Sequence, residues 1–171
     1  MATTDTLFIL RPGNSTPPAT LYATLDTITE TSTPNALIQV LDFDGSADEH
    51  MDWNVTMPSH YAGGGLTISC KYSMDGTDGS AIELEFRCIK LADSDDLSSD
   101  LGIDGQTSAD ITDTPIATAD DLNLTATIGL SHANADSPAV GNALIIRATR
   151  DISAASNTDD LQLLEVLILE T

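Results

Sequence analysis

The stretch Leu66-Thr-Ile68-Ser-Cys70-Lys-Tyr72, then Met74-Asp-Gly-Thr-Asp-Gly-Ser80, then Ile82-Glu-Leu84-Glu-Phe86-Arg-Cys88 decides the fold class. Both arms alternate apolar and polar residues with period two, which sets one face of each strand on a core and the other in water. The Asp-Gly pairs between them supply the positive φ that tight turns require, so the stretch predicts a β-hairpin. In that register Cys70 faces Leu84 and Cys88 faces Leu66. Four residues at about 3.4 Å each then hold the sulfurs roughly 13 Å apart, and free buried thiols are expected rather than a disulfide.

The same alternation recurs outward from this centre over 21–28, 36–43, 51–57, 122–130, 143–150 and 161–169, giving about eight short strands punctuated by Gly, Pro, Asn and Asp. No segment carries a convincing amphipathic helical pattern, and the abundant Asp and Thr are poor in helix interiors. The expectation is an all-β, antiparallel β-sandwich, with a jelly roll first and a fibronectin-like or immunoglobulin-like sandwich as alternatives. Residues 1–19 couple Leu7-Phe-Ile-Leu10 to the proline-broken run Arg11-Pro-Gly-Asn-Ser-Thr-Pro-Pro18 and read as an extended N-terminal arm on a single 20–171 domain. Residues 92–119, carrying Asp93, Asp95, Asp96, Asp100, Asp104, Asp110 and Asp113, read as a long Asp-rich insertion between strands.

The 171 residues contain 6 Lys and Arg against 27 Asp and Glu, a formal net charge of −21. Such a surface repels phosphate backbones and anionic headgroups, so nucleic acid and membrane are excluded as partners. With 41% hydrophobic and only 19% charged residues, the chain has the apolar content to fold. The acidity suits saline surroundings or a basic partner. The N-terminus lacks the basic flank of a signal peptide, and Leu7 to Leu10 is too short to span a membrane, so a soluble product is expected and the sequons at Asn14, Asn54 and Asn123 carry little weight.

Catalytic chemistry finds little material. His50, His60 and His132 belong to no nucleophile or metal motif, and no catalytic residue or organic cofactor is expected. The best metal candidate is Asp42-Phe-Asp44-Gly-Ser-Ala-Asp48, where hard oxygen ligands surround a glycine in the manner of a calcium loop, although Asp-Gly is also ordinary turn chemistry. Trp53 reads as a core residue. The run Leu161-Gln-Leu-Leu-Glu-Val-Leu-Ile-Leu169 is apolar on both parities, so a face turned from the core stays greasy, and a homo-oligomer is expected to cover it.

Two further runs carry a resemblance. Asp52-Trp-Asn-Val-Thr-Met-Pro-Ser-His-Tyr61 with Gly63-Gly64-Gly65-Leu66-Thr-Ile68, and Ile145-Ile-Arg-Ala-Thr-Arg-Asp151 with Leu161-Gln-Leu-Leu-Glu-Val166, resemble segments of small jelly-roll capsid decoration (cement) proteins of tailed bacteriophages. The likeness covers 36–171. It implies a non-enzymatic virion structural protein, often a homotrimer, that is assembled in the host cytoplasm, binds the major capsid protein on the outer face of the head and stabilises it. On that reading Leu7, Phe8, Ile9 and Leu10 grip the shell, and Leu163, Leu164, Val166, Leu167 and Ile168 form the subunit contact. The alternative is a calcium-dependent carbohydrate- or receptor-binding jelly-roll module of a phage tail or head fibre. Trp53 and Tyr61 would then stack on sugar rings, while Asp42, Asp44 and Asp48 hold the ion.

Overall fold

Two antiparallel sheets face each other and bury the inward parity of their strands, as the period-two alternation requires. The structure is a computed structural model and describes residues 5–99 and 101–171. Its strands are β1 (Thr6–Leu10), β2 (Thr24–Thr29), β3 (Leu37–Phe43), β4 (Glu49–Thr56), β5 (Leu66–Met74), β6 (Ile82–Leu91), β7 (Ala109–Asp113), β8 (Asn123–Leu124), β9 (Ile128–Leu130), β10 (Ala143–Arg150) and β11 (Leu161–Glu170). One sheet has seven strands in the order β2-β3-β11-β5-β8, with β1 also paired to β11 and β9 to β5; the other has four in the order β4-β10-β6-β7. Trp53, Phe43, Phe86 and Tyr72 fill the space between them, each at most 1% exposed. Burial of such a ring contributes on the order of 2 to 3 kcal/mol.

The predicted hairpin does not form. β5 lies in the seven-stranded sheet and β6 in the four-stranded one, so the Asp75–Ala81 link arches between sheets. Alternation shows which side chains face the core, not which strand is the neighbour, and both arms satisfy it from opposite walls of the sandwich. Cys70 and Cys88 are free and buried, and burial pushes both thiols well above the ordinary cysteine range. The register used to separate them is nonetheless replaced by their placement in different sheets.

The expected arm is also corrected. β1 pairs antiparallel with β11, and Leu7 and Leu10 are buried in the core. Beyond β1 the chain crosses to the other sheet, where Thr16 bridges to Asp52, and Trp53 Nε1 donates to the Arg11 carbonyl at 3.0 Å. The Asp-rich insertion is partly sheet: β7 pairs with β6 and buries Ile111, and Ile103 is buried too. The 122–130 strand divides into β8 and β9, which share one edge of β5. Asp100 and Met1 to Thr4 lie outside the described residues.

A β-bulge accounts for the two-parity run in β11. Leu163 opposes Tyr72 and Glu165 opposes Lys71, leaving Leu164 as the extra residue. Leu161 and Leu163 therefore point inward before it, and Val166 and Ile168 after it. Much of the apparent double greasiness is one inward face whose parity changes midway.

The Asp content has a structural use at one end of the sandwich. Asp44 accepts from Ser46 N, Asp160 from Gly45 N, Asp75 from Asp160 N, Asp159 from Asp78 N and Asp48 from Ile152 N, at 2.6–2.9 Å. These bonds knit three inter-sheet loops together, because a short carboxylate satisfies the donors that turns leave unpaired.

Candidate functional site

The outer face of the four-stranded sheet carries an open trough of about 500 Å³. Its floor is the outward parity of β4 and β10, where Asp52 opposes Arg147 and Ile145 lies one step along. Pro18 and Ala19, brought over the sheet by the Thr16–Asp52 bridge, form one wall. Leu97, Leu101 and Ile103 of the 92–108 segment form the other.

At its centre Arg147 is fixed on both sides. Its Nε and Nη2 donate to the two oxygens of Asp52 at 2.7 and 2.8 Å, and Nη1 donates to Asp104 Oδ1 at 2.7 Å. The bidentate pair is cross-strand and largely shielded, which sets a planar donor array without freezing a flexible chain. The Asp104 side chain is well exposed. Apolar walls with a few immobilised polar groups suit a polar, uncharged ligand that offers both C–H faces and hydroxyls.

The metal candidates do not come together. Asp44 Oδ1 accepts from Ser46 N and Oγ, and Asp48 Oδ1 from Ile152 N. Asp42 stands apart on the outer side of β3, where it opposes Gln162 of β11. Among the described residues the carboxylates close enough to share an ion are Glu83, Glu85 and Asp151. There Arg87 Nη1 is 2.5 Å from Glu85, and Asp151 accepts from Ser153 and Ala154. Two of these three carboxylates thus already have partners, a guanidinium and backbone amides, with which an ion would compete. Excess EDTA or millimolar calcium is accordingly expected to leave the thermal midpoint unchanged to within about 1 °C, whereas an ion bound to the native state would raise it.

Asp42 has a different consequence. Its Oδ1 is buried without a hydrogen-bond partner. Burial first, then the neighbouring Asp160, Asp75, Asp26 and Glu49 carboxylates, raise its pKa from 3.8 to about 6. The folded state therefore holds a proton there that the unfolded chain releases, so this group adds stability as pH falls through 6 and withdraws it as pH rises. Solvent reaches the rest of the side chain, which reduces the effect to about 1 kcal/mol. Asp42→Asn is expected to raise the melting midpoint by about 2–4 °C at pH 7.5 and to leave it unchanged near pH 4. Equal midpoints for the two proteins at pH 7.5 would remove the strain assigned to Asp42.

The aromatic platform expected of Trp53 and Tyr61 is absent from the surface. Trp53 is 1% exposed and Tyr61 5%, with the Tyr61 hydroxyl 2.9 Å from His132 Nδ1 and bonded to the Gly64 carbonyl. His50 contacts Thr149 Oγ1 and His60 the Thr6 carbonyl, so the three histidines occupy separate places. Of the nine interface candidates, Leu7, Leu10, Leu163, Val166 and Ile168 are core residues, and Phe8 packs partly against that core. Ile9 is exposed, while Leu164 and Leu167 are half-buried on the outer side of the seven-stranded sheet.

No family model and no curated protein matches the chain. Among solved structures, the CBM22-2 xylan-binding domain of Paenibacillus barcinonensis Xyn10C superposes with a TM-score of 0.52 at 14% identity, over 96% of this chain and 99% of that one. The chain is a jelly roll. The CBM22-1 xylan-binding domain of the same protein gives 0.49 at 11% identity, over 99% and 97%. A cycloisomaltooligosaccharide glucanotransferase from a Paenibacillus species, solved with cycloisomaltoheptaose, gives 0.48 at 8% identity. That match covers 96% of this chain but 19% of the enzyme.

Sequence reasoning missed the trough. Asp52 and Arg147 are 95 residues apart, and only the β4–β10 pairing joins them. The available signal was the polar parity of two strands otherwise valued for their apolar one.

Proposed function

We propose that this protein is a non-catalytic binding module, a jelly roll that holds a neutral glycan in the trough over its four-stranded sheet. The observation that carries the reading is the fixed Asp52–Arg147–Asp104 array set between aliphatic walls. Sugar hydroxyls hydrogen-bond to such planar ionic groups, while the C–H faces of the ring pack on Leu97, Pro18 and Ile145. The −21 charge favours an uncharged chain over an acidic one. Absence of an aromatic residue from the trough lining implies modest affinity. The fold-level likeness to a xylan-binding domain makes xylan the first probe and supports nothing finer.

Calorimetric titration with xylo-oligosaccharides and a panel of neutral glycans tests the reading. Binding in the micromolar to millimolar range is expected, weakened about tenfold or more by Arg147→Ala, which removes the array at its centre. No heat from any neutral glycan at millimolar concentration would overturn it.

The capsid-decoration reading rests on a separate face. A shell-binding protein needs a protein-docking surface, and Ile9 beside Leu167 on the outer side of the seven-stranded sheet offers aliphatic surface for one. Co-sedimentation with phage heads tests it: the wild-type protein should pellet with heads, and Ile9→Asp should remain in solution. Failure of the wild-type protein to pellet would discard it.

A further inference from the structure

The seven-stranded sheet turns an unusual surface outward for so acidic a chain. Arg11 Nη2 and Lys71 Nζ flank Glu165 at 3.3 and 2.8 Å, and their side chains are 67% and 46% exposed. Two of the six Lys and Arg residues thus converge on one carboxylate, leaving a local excess of one positive charge in a molecule of net charge −21. They border a trough of about 440 Å³ whose apolar lining comes from Leu37, Ile38 and Leu164. Leu37 is 66% exposed and Ile38 45%.

Beside this trough stands a ribbon that its own body does not cover. β2 pairs with β3 along its length, yet every β2 residue except Ile28 is exposed. Leu25 is 58% exposed, and the ribbon carries Asp26 and, just past the strand, the exposed Glu30. The same chain therefore presents an acidic, aliphatic ribbon adjacent to a cationic, aliphatic trough. Adjacent complementary patches on one molecule are what a two-fold, self-complementary interface requires.

We propose that two copies of the chain associate through this face, each β2–β3 hairpin lying in the Arg11–Lys71 trough of the other. The pairing sets Asp26 and Glu30 against Arg11 and Lys71, and covers Ile38, which shares their face of the ribbon and is left in water by a lone copy. The glycan trough lies on the opposite sheet and stays open in the dimer.

Sedimentation velocity on the intact chain tests this. At tens of micromolar and physiological salt the wild-type protein is expected to sediment as a dimer of the 18.0 kDa chain. Arg11→Glu with Lys71→Glu should weaken association at least tenfold. Adding Asp26→Lys and Glu30→Lys to that variant should restore it, because the charges are exchanged and the shape is kept. All four side chains are exposed, and unchanged far-ultraviolet circular dichroism verifies that each variant is folded. A monomeric wild-type protein, a trimer, an Arg11→Glu, Lys71→Glu variant that dimerises as tightly as wild type, or a fourfold variant that fails to recover association overturns the proposal. A monomer would return this face to shell docking.

Discussion

Arg150→Ala is expected to cost about 3–5 kcal/mol of stability, enough to leave much of the protein unfolded at 37 °C. Arg150 ends β10 on its inward parity, is 1% exposed and reaches across the sandwich. Its Nη1 donates to the Phe43 carbonyl of the opposite sheet at 2.9 Å, and Nη2 to the Asn157 carbonyl at 3.2 Å. Burial lowers the pKa of the guanidinium, and the attraction of Asp160, Asp44, Asp75 and Asp159 offsets part of that. Truncation would orphan two carbonyls, open a cavity and leave the acidic end of the sandwich without its buried cation. Arg150→Lys keeps the charge but loses the fork, so an intermediate loss is expected. Urea denaturation of the three proteins measures this, and a loss below about 1 kcal/mol for the alanine variant would refute the role.

The second large effect lies at the other end of β11. Glu170 is 2% exposed, and its carboxylate accepts from Ala62 N and Gly64 N at 2.9–3.1 Å. These bonds fix the Gly63–Gly65 corner. Gly63 has φ +94, and a Cβ at Gly64 would meet the Thr171 carbonyl oxygen at 2.6 Å. The three glycines thus answer two needs, a left-handed backbone and a close approach of chains. Glu170→Ala takes the acceptor from the Ala62 and Gly64 amides and empties a site that is 2% exposed, and about 1–3 kcal/mol of destabilisation is expected. Glu170→Gln retains one acceptor and should lose roughly half as much. Thermal unfolding would contradict the assignment if both variants melted with the wild type.

The part of the fold legible in the sequence was the part that repeats locally. Alternation in 66–72, 82–88 and 143–150 identified inward residues correctly, because facing a core is a property of each strand alone. Partnership was not legible: β5 and β6 sit in different sheets although an Asp-Gly turn chemistry joins them. The β11 bulge was hidden for a related reason, since one inserted residue changes parity without leaving a compositional mark. Aspartates misled in a third way. Asp44 and Asp48 have the spacing of metal ligands, yet their oxygens go to the amides of Ser46 and Ile152, the second more than a hundred residues away. The candidate site joins Pro18, Asp52, Leu97 and Arg147 from four distant segments, and no local pattern could have gathered them.

The two outer faces of this jelly roll differ in chemistry. The four-stranded side offers fixed polar groups between aliphatic walls; the seven-stranded side offers exposed aliphatic residues and two cations. Backbone amide chemical shifts, followed during titration with a xylo-oligosaccharide, test the first assignment most directly. The account predicts perturbations concentrated at Asp52, Leu97, Leu101, Ile145 and Arg147, with β5 and β11 silent. Shifts confined to the seven-stranded face, or none up to millimolar ligand, would contradict it.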